Sequence, residues 1–311
     1  MKPGLPAVQV AFWLLPLAAF FLLPGYLVLG SQILIVSLFA MSLDLLLGYA
    51  GIVSLGHAAF FGLGAYTAGL LAAHGWGEPL TGLIAAAAMA AIFGFVASFL
   101  VVRGEDLARL MVTLGVGLLL FEAANRAAFI TGGVDGLSGV TMGKVLGVFP
   151  FDLAGKTGFL YSYAVLLLIF LGLRRVVDSP FGLSLVGIRE NRKRMDAIGA
   201  PVHRRLVAVF TLGASVAGVA GALLAQTTQF VGLDTLGFER SADLLIMVVV
   251  GGTGRLYGAI VGTLVFMVAQ DYLSGINPVY WQFWLGLLLI LIVFFARGGV
   301  LGALEALWKR R

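Results

Sequence analysis

Apolar residues run in long blocks along this chain, and polar residues are confined to short breaks between them. About ten blocks can be drawn, at approximately 7–29, 31–47, 52–73, 80–102, 107–130, 159–176, 206–227, 237–252, 256–273 and 280–296. A helix needs about 20 apolar residues to cross the hydrocarbon core of a bilayer. The pattern therefore predicts an all-α, polytopic transmembrane helical bundle over residues 1–311, read as a single domain. Proline interrupts the first block, the eighth is short, and Gly48 to Gly64 is rich enough in glycine to leave helix partly broken. Lys2 followed by an apolar run from Ala7 looks superficially like a signal peptide. That run passes Tyr26 without a clear small-x-small cleavage site, so it reads as a retained first helix.

Two polar stretches separate the blocks most widely, 131–158 and 177–205. Placing both termini in the cytoplasm puts all of the 20 Lys and Arg residues inside except Arg126, Lys144, Lys156 and Arg240. Such an asymmetry obeys the positive-inside rule and goes with an even number of crossings. The 131–158 stretch then forms a structured extracytoplasmic loop and 177–205 the longest cytoplasmic excursion. Trp308, ahead of Lys309, Arg310 and Arg311, suits an interfacial anchor.

Composition sharpens this picture. Hydrophobic residues make up 60% of the chain and charged residues 11%, against about a quarter charged in ordinary soluble domains. No soluble fold hides that much apolar surface. The 43 glycines suit close approach of membrane helices. A net charge of +5 is accounted for by basic residues in the short loops, so topology rather than nucleic acid explains it. The absence of cysteine removes disulfides, thiolate nucleophiles and sulfur metal sites.

Enzymatic readings fail on the same residues. Gly155-Lys156-Thr157 looks like the tail of a phosphate-binding loop, but the glycine required five positions before Gly155 is Pro150. His57, His74 and His203 are scattered without metal-ligand spacing, and no nucleophile, base and orienting acid can be assembled. The chain reads as a non-enzyme with no metal and no cofactor.

The 177–205 stretch carries the strongest local signal. Pro180 and Pro201 bracket it, Gly199 is a helix terminator, and Ile188, Met195 and Ile198 fall at helical spacing as one apolar stripe. It reads as a short amphipathic helix lying along the membrane; a plain basic loop obeying the positive-inside rule is the competing reading.

Several segments together carry a resemblance. Leu45-Leu46-Leu47-Gly48-Tyr49-Ala50-Gly51, Ser54-Leu55-Gly56-His57-Ala58-Ala59-Phe60-Phe61-Gly62, Thr131-Gly132-Gly133, the Gly187 to Gly199 stretch and Val250-Gly251-Gly252 resemble the M-type permease subunits of high-affinity branched-chain amino acid ABC importers. The likeness covers residues 30 to about 296. It implies a subunit of the bacterial inner membrane that works with a second permease, two ATP-binding cassette ATPases and an extracytoplasmic binding protein. Relatives for urea or short amides share the pattern, and a stand-alone ion-coupled transporter using Asp44 or Asp243 is the reading from a different class. By resemblance, Gly187, Ile188, Arg189, Glu190, Asn191, Met195, Ile198 and Gly199 would couple to the ATPase. Asp44 departs from the asparagine usual in the family.

The segment around Gly51, Ser54, Gly56 and His57, with Asp44, Gly251 and Gly252, is the candidate translocation path. Non-helical backbone at membrane depth is tolerated only where it is buried in protein or lines a cavity. The competing reading is close packing, with His57 hydrogen-bonded to a neighbouring helix. Gly254, Gly258 and Gly262 recur at four-residue spacing and predict tight helix contact. Glu122 and Arg126, four apart, predict an ion pair. GIVSLGHAAFFGLGAYTAG near 51 and GGTGRLYGAIVGTLV near 251 both set glycines ahead of an apolar helix, a faint sign of duplicated halves.

Overall fold

The computed structural model describes residues 6–302 apart from 105, 153, 296 and 297. Lys2, Arg297, Trp308, Lys309, Arg310 and Arg311, used above for orientation and anchoring, lie outside the described residues. Among the described residues the chain is helical, with no strand beyond two isolated bridges, Leu137 to Val231 and Val145 to Phe149.

The helices are α1 (Pro6–Leu22), α2 (Leu27–Asp44), α3 (Ala58–Ala73), α4 (Pro79–Val101), α5 (Asp106–Arg126), α6 (Ala128–Thr131), α7 (Lys156–Val177), α8 (Pro180–Glu190), α9 (Arg192–Ala197), α10 (Val202–Thr228), α11 (Phe238–Gly251), α12 (Leu256–Ile276) and α13 (Trp281–Phe295). Among the described residues, six stretches are long and apolar enough to cross a membrane: Pro24–Tyr49, Pro79–Val101, Leu107–Arg126, Lys156–Val177, Val202–Thr228 and Leu256–Ile276. Gln9–Leu22, Ala58–Ala73 and Trp281–Ile292 are shorter apolar helices.

Several boundaries differ from the sequence reading, each for a local reason. The first block, drawn to residue 29, ends as helix at Leu22, because Pro24 opens a single 3-10 turn and α2 starts at Leu27. The fifth, drawn to 130, breaks after Arg126 and resumes as the short α6. The third, drawn from 52, becomes helical only at Ala58. Ahead of it α2 runs into a π-helical turn over Leu45–Tyr49, and Gly51 closes that turn with a left-handed φ of 68°.

Helix α10 is the centre of the bundle and packs on α4, α3 and α2. Small residues allow this: Gly94 of α4 meets Ala214, and Gly64 of α3 meets Gly218. Without water to drive helices together, close backbone approach supplies the dispersion contact that holds them. At one end Glu78 caps α4 by accepting from the backbone N–H of Leu80 and Thr81, at 3.3 and 2.6 Å, with Pro79 in the first turn. The 131–158 loop folds over the same end, where Gly143 donates to the Gly77 carbonyl at 2.8 Å and Leu137 and Val140 are buried beside Gly69. The outer faces of α4 and α13 keep large apolar side chains such as Ile84, Val96, Ile290 and Phe294 exposed, as a lipid-facing surface does.

Candidate functional site

Residues 51–57, between the π-turn and α3, form a non-helical run largely buried within the helices. Its amide groups need partners, since unpaired backbone in an apolar interior costs several kcal/mol. Neighbouring helices supply them. Leu55 donates its N–H to Thr113 Oγ1 of α5 at 3.2 Å, and Ala58 donates to Ser241 Oγ of α11 at 2.9 Å. Gly56 lies so close to the Thr113 carbonyl that a Cβ there would overlap it, and Gly117 of α5 faces Gly56 in turn.

His57 closes the run on its buried side. It is fully buried, stacks on Phe39 with ring centroids 5.6 Å apart, and its Nε2 lies 2.8 Å from Ser42 Oγ of α2. The Ser42 hydroxyl spends its proton on the Phe39 carbonyl at 2.6 Å, so Nε2 is the donor to it. This is the packing arrangement, not a pore-lining one. Ser54 and Asp44 are fully buried as well.

Gly56 does face open space. A cleft of about 420 Å³ is walled by Leu55 and Gly56, by Leu114, Gly117, Leu118 and Phe121 of α5, and by Asp234, Leu236 and Gly237 before α11 with Phe238, Glu239 and Ser241 in its first turn. Its lining is mostly apolar, with Asp234, Glu239 and Ser241 as its polar residues; Asp234 pairs with Arg240 at 3.9 Å and Ser241 accepts from Ala58. Of the path residues expected from sequence, Gly56 alone belongs to this lining. The α5 wall was missed because its residues look like any apolar helix; the adjacency of Gly115 and Gly117 to Thr113 was the available signal.

Gly251 and Gly252, expected in the path, are taken up elsewhere. Gly251 packs on the Gly258 carbonyl of α12, Gly262 packs back on the Met247 carbonyl of α11, and Gly252 lies against Gly298 and Gly299. The tight contact predicted for Gly258 and Gly262 is thus internal, between α11 and α12. Gly254 leaves that face. It precedes α12 with φ of 77°, lies against Gly48, and donates its N–H to Asp44 Oδ1 at 2.7 Å. Four-residue spacing placed it on a helix that begins only at Leu256, after the turn.

The 177–205 excursion reaches the same place. Pro180 and the Ser179 cap start α8. The amphipathic helix expected through Gly199 is broken at Asn191, whose extended backbone ends α8 and whose Oδ1 caps α9 by accepting from Arg194 N–H at 2.9 Å. Its apolar stripe splits accordingly: Ile188 is buried, Met195 packs on Gly187, and Ile198 is 70% exposed. Glu190, Lys193, Arg194 and Gly199 are also exposed. Arg189, exposed like them, donates to the Gly48 carbonyl and lays its stem on Gly51. Arg109 of α5 adds a longer contact of 3.5 Å to the Gly51 carbonyl. Away from this cluster, Glu122 and Arg126 form the expected ion pair at 2.7 Å, on an exposed face.

Comparison with known proteins identifies the family. The family described as "Branched-chain amino acid transport system / permease component" matches residues 26–293. The high-affinity branched-chain amino acid transport system permease protein LivM of Escherichia coli (strain K12) is 29% identical over 302 residues, covering 88% of this chain and 69% of that protein. The probable branched-chain amino acid transport permease protein LivM of Methanocaldococcus jannaschii is 24% identical, covering 84% of this chain and 89% of that protein. The permease protein BraD of Pseudomonas aeruginosa is 25% identical, covering 86% and 92%. No solved structure matches. A buried, unwound glycine segment in an apolar bundle, joined to an exposed basic excursion, therefore sits in a chain that belongs to the permease-component family of branched-chain amino acid transport systems.

Proposed function

We propose that this chain is a membrane permease subunit of an ATP-driven importer that carries branched-chain or related amino acids across the bacterial inner membrane. It crosses ten times with both termini cytoplasmic, so that the 177–205 excursion faces the ATP side and 131–158 faces outward. The sixteen residues of α3 rise only about 24 Å, short of the about 30 Å core. The extended 51–57 run supplies the remainder, which makes 51–73 a broken crossing rather than a failed one.

The observation that carries the reading is the contact of Arg189 with the Gly48 carbonyl. One side of the α8–α9 excursion is exposed, with Glu190, Arg194 and Ile198 on offer to a soluble partner. Its inward side holds the backbone from which the cleft-lining 55–56 segment follows. Closure of two separate ATPase subunits on the exposed side would pull on Arg189, and through Gly48 and Gly51 on the wall of the cleft. The permease itself carries no hydrolytic group. An apolar lining with Glu239 at its polar edge, beside Asp234 paired with Arg240, suits a substrate that joins charged groups to an apolar side chain. A second permease subunit completes the path, and an extracytoplasmic binding protein delivers the amino acid to the 131–158 side.

Uptake in membranes containing the full set of subunits tests this. It should stop when ATP hydrolysis is blocked and continue when the proton gradient is collapsed. Proton- or sodium-driven uptake by this chain alone in liposomes would overturn the assignment.

A further inference from the structure

A second hollow lies on the outside of the bundle, apart from the cleft. It is a groove of about 660 Å³ between α4 and α10, walled by Phe95 and Phe99 on one side and by Val207 and Ala208 on the other, with His203 and Arg204 at one end. The sequence builds it simply. Gly94 against Ala214 brings the two helix backbones together, and the bulky rings of Phe95 and Phe99, edge to face at 4.9 Å, stand above that seam.

The polar end is cationic. Arg204 is exposed and makes no hydrogen bond or ion pair with any described residue. The His203 ring lies 6.4 Å from that of Phe99, so it sits at the mouth of the apolar trough. Arg103, just past the end of α4, is exposed nearby in sequence to Val102, whose carbonyl also receives Arg192 at 3.5 Å. The groove extends along α10 from His203 to Ser215, about 18 Å at the helical rise. That is close to half of the about 30 Å apolar thickness of a bilayer. A helix of a partner subunit would run the whole thickness; one leaflet's depth fits an acyl chain.

We propose that this groove is a binding site for an anionic phospholipid of the leaflet on the side of the 177–205 excursion. Its acyl chain lies between Phe95, Phe99, Val207 and Ala208, and its phosphate meets Arg204 and His203. Zwitterionic lipids carry the same chain but cancel the charge, so selection rests on the two side chains at the mouth.

The chain has no cysteine, so Val96→Cys, exposed beside Phe95, places a single fluorophore next to the groove of the full-length protein. In phosphatidylcholine nanodiscs, brominated phosphatidylglycerol should quench it at lower mole fraction than brominated phosphatidylcholine, by about fivefold for Arg204 alone. Arg204→Gln with His203→Gln should abolish that preference, while Arg175→Gln, at the corresponding end of α7, should leave it. Equal quenching by the two lipids, or a preference that survives the double substitution, would overturn the proposal. So would loss of all quenching in the assembled transporter, which would mean that a protein subunit covers the groove.

Discussion

Two glycine-rich interruptions, 48–57 and 251–255, meet at Gly48 and Gly254, yet they are held in opposite ways. The first is long, and its amides are held by side chains from other helices, Thr113 and Ser241, with Arg189 and Arg109 on its carbonyls. The second is a tight turn packed backbone on backbone, Gly251 on Gly258 and Gly252 on Gly298 and Gly299. Its main side-chain partner is the buried carboxylate of Asp44. Side-chain hydrogen bonds contribute about 1 kcal/mol each and can be exchanged as helices shift. Close-packed backbone has no such alternative partners. The first interruption thus joins backbone packing at Gly56 to side-chain partners from several helices, whereas the second rests mainly on backbone packing.

Substitution where the two meet should have the largest effect. A side chain in Gly48→Val would enter the Gly254 backbone and crowd Asp44, and overpacking of this kind costs about 1–3 kcal/mol or more. Thermal unfolding in detergent should shift down clearly and transport should be lost with it; an unchanged transition would mean that the two breaks are not in contact.

Arg189→Gln should separate motion from stability. Arg189 is an exposed side chain, so loss of its hydrogen bond should lower the unfolding transition less than Gly48→Val does, while ATP-driven uptake falls by about tenfold or more. Pairing it with Glu190→Gln should also weaken ATPase retention during purification. Normal uptake and assembly in both variants would remove the excursion from the coupling route.

The smallest effect is expected at Thr113→Val, which strips the partner from the Leu55 N–H at near-constant volume. A loss of about 1 kcal/mol in stability with altered uptake would fit a gate wall. Altered stability alone would make 51–57 a static support and blur the contrast with the second interruption.

Much of this was legible from residues in order, because lipid imposes a one-dimensional rule. Apolar length marks helices and Gly or Pro marks their ends, so Pro180, Gly199 and the first part of the glycine-rich 48–64 region signalled real breaks. What local pattern could not register was a turn placed inside a regular spacing. Gly254 shares its four-residue interval with Gly258 and Gly262 but belongs to the loop, and Asn191 cuts the Ile188–Met195–Ile198 stripe.

The chain's own order of residues determined its apolar helical character, its family and the existence of the basic excursion, since each depends on composition and spacing read along one strand. Only the tertiary structure decided that Gly56 lines a cleft while His57 and Ser54 beside it are sealed in packing, and that Arg189 grips Gly48. Those outcomes depend on which distant helices supply the missing hydrogen-bond partners, and sequence neighbours carry no record of that choice.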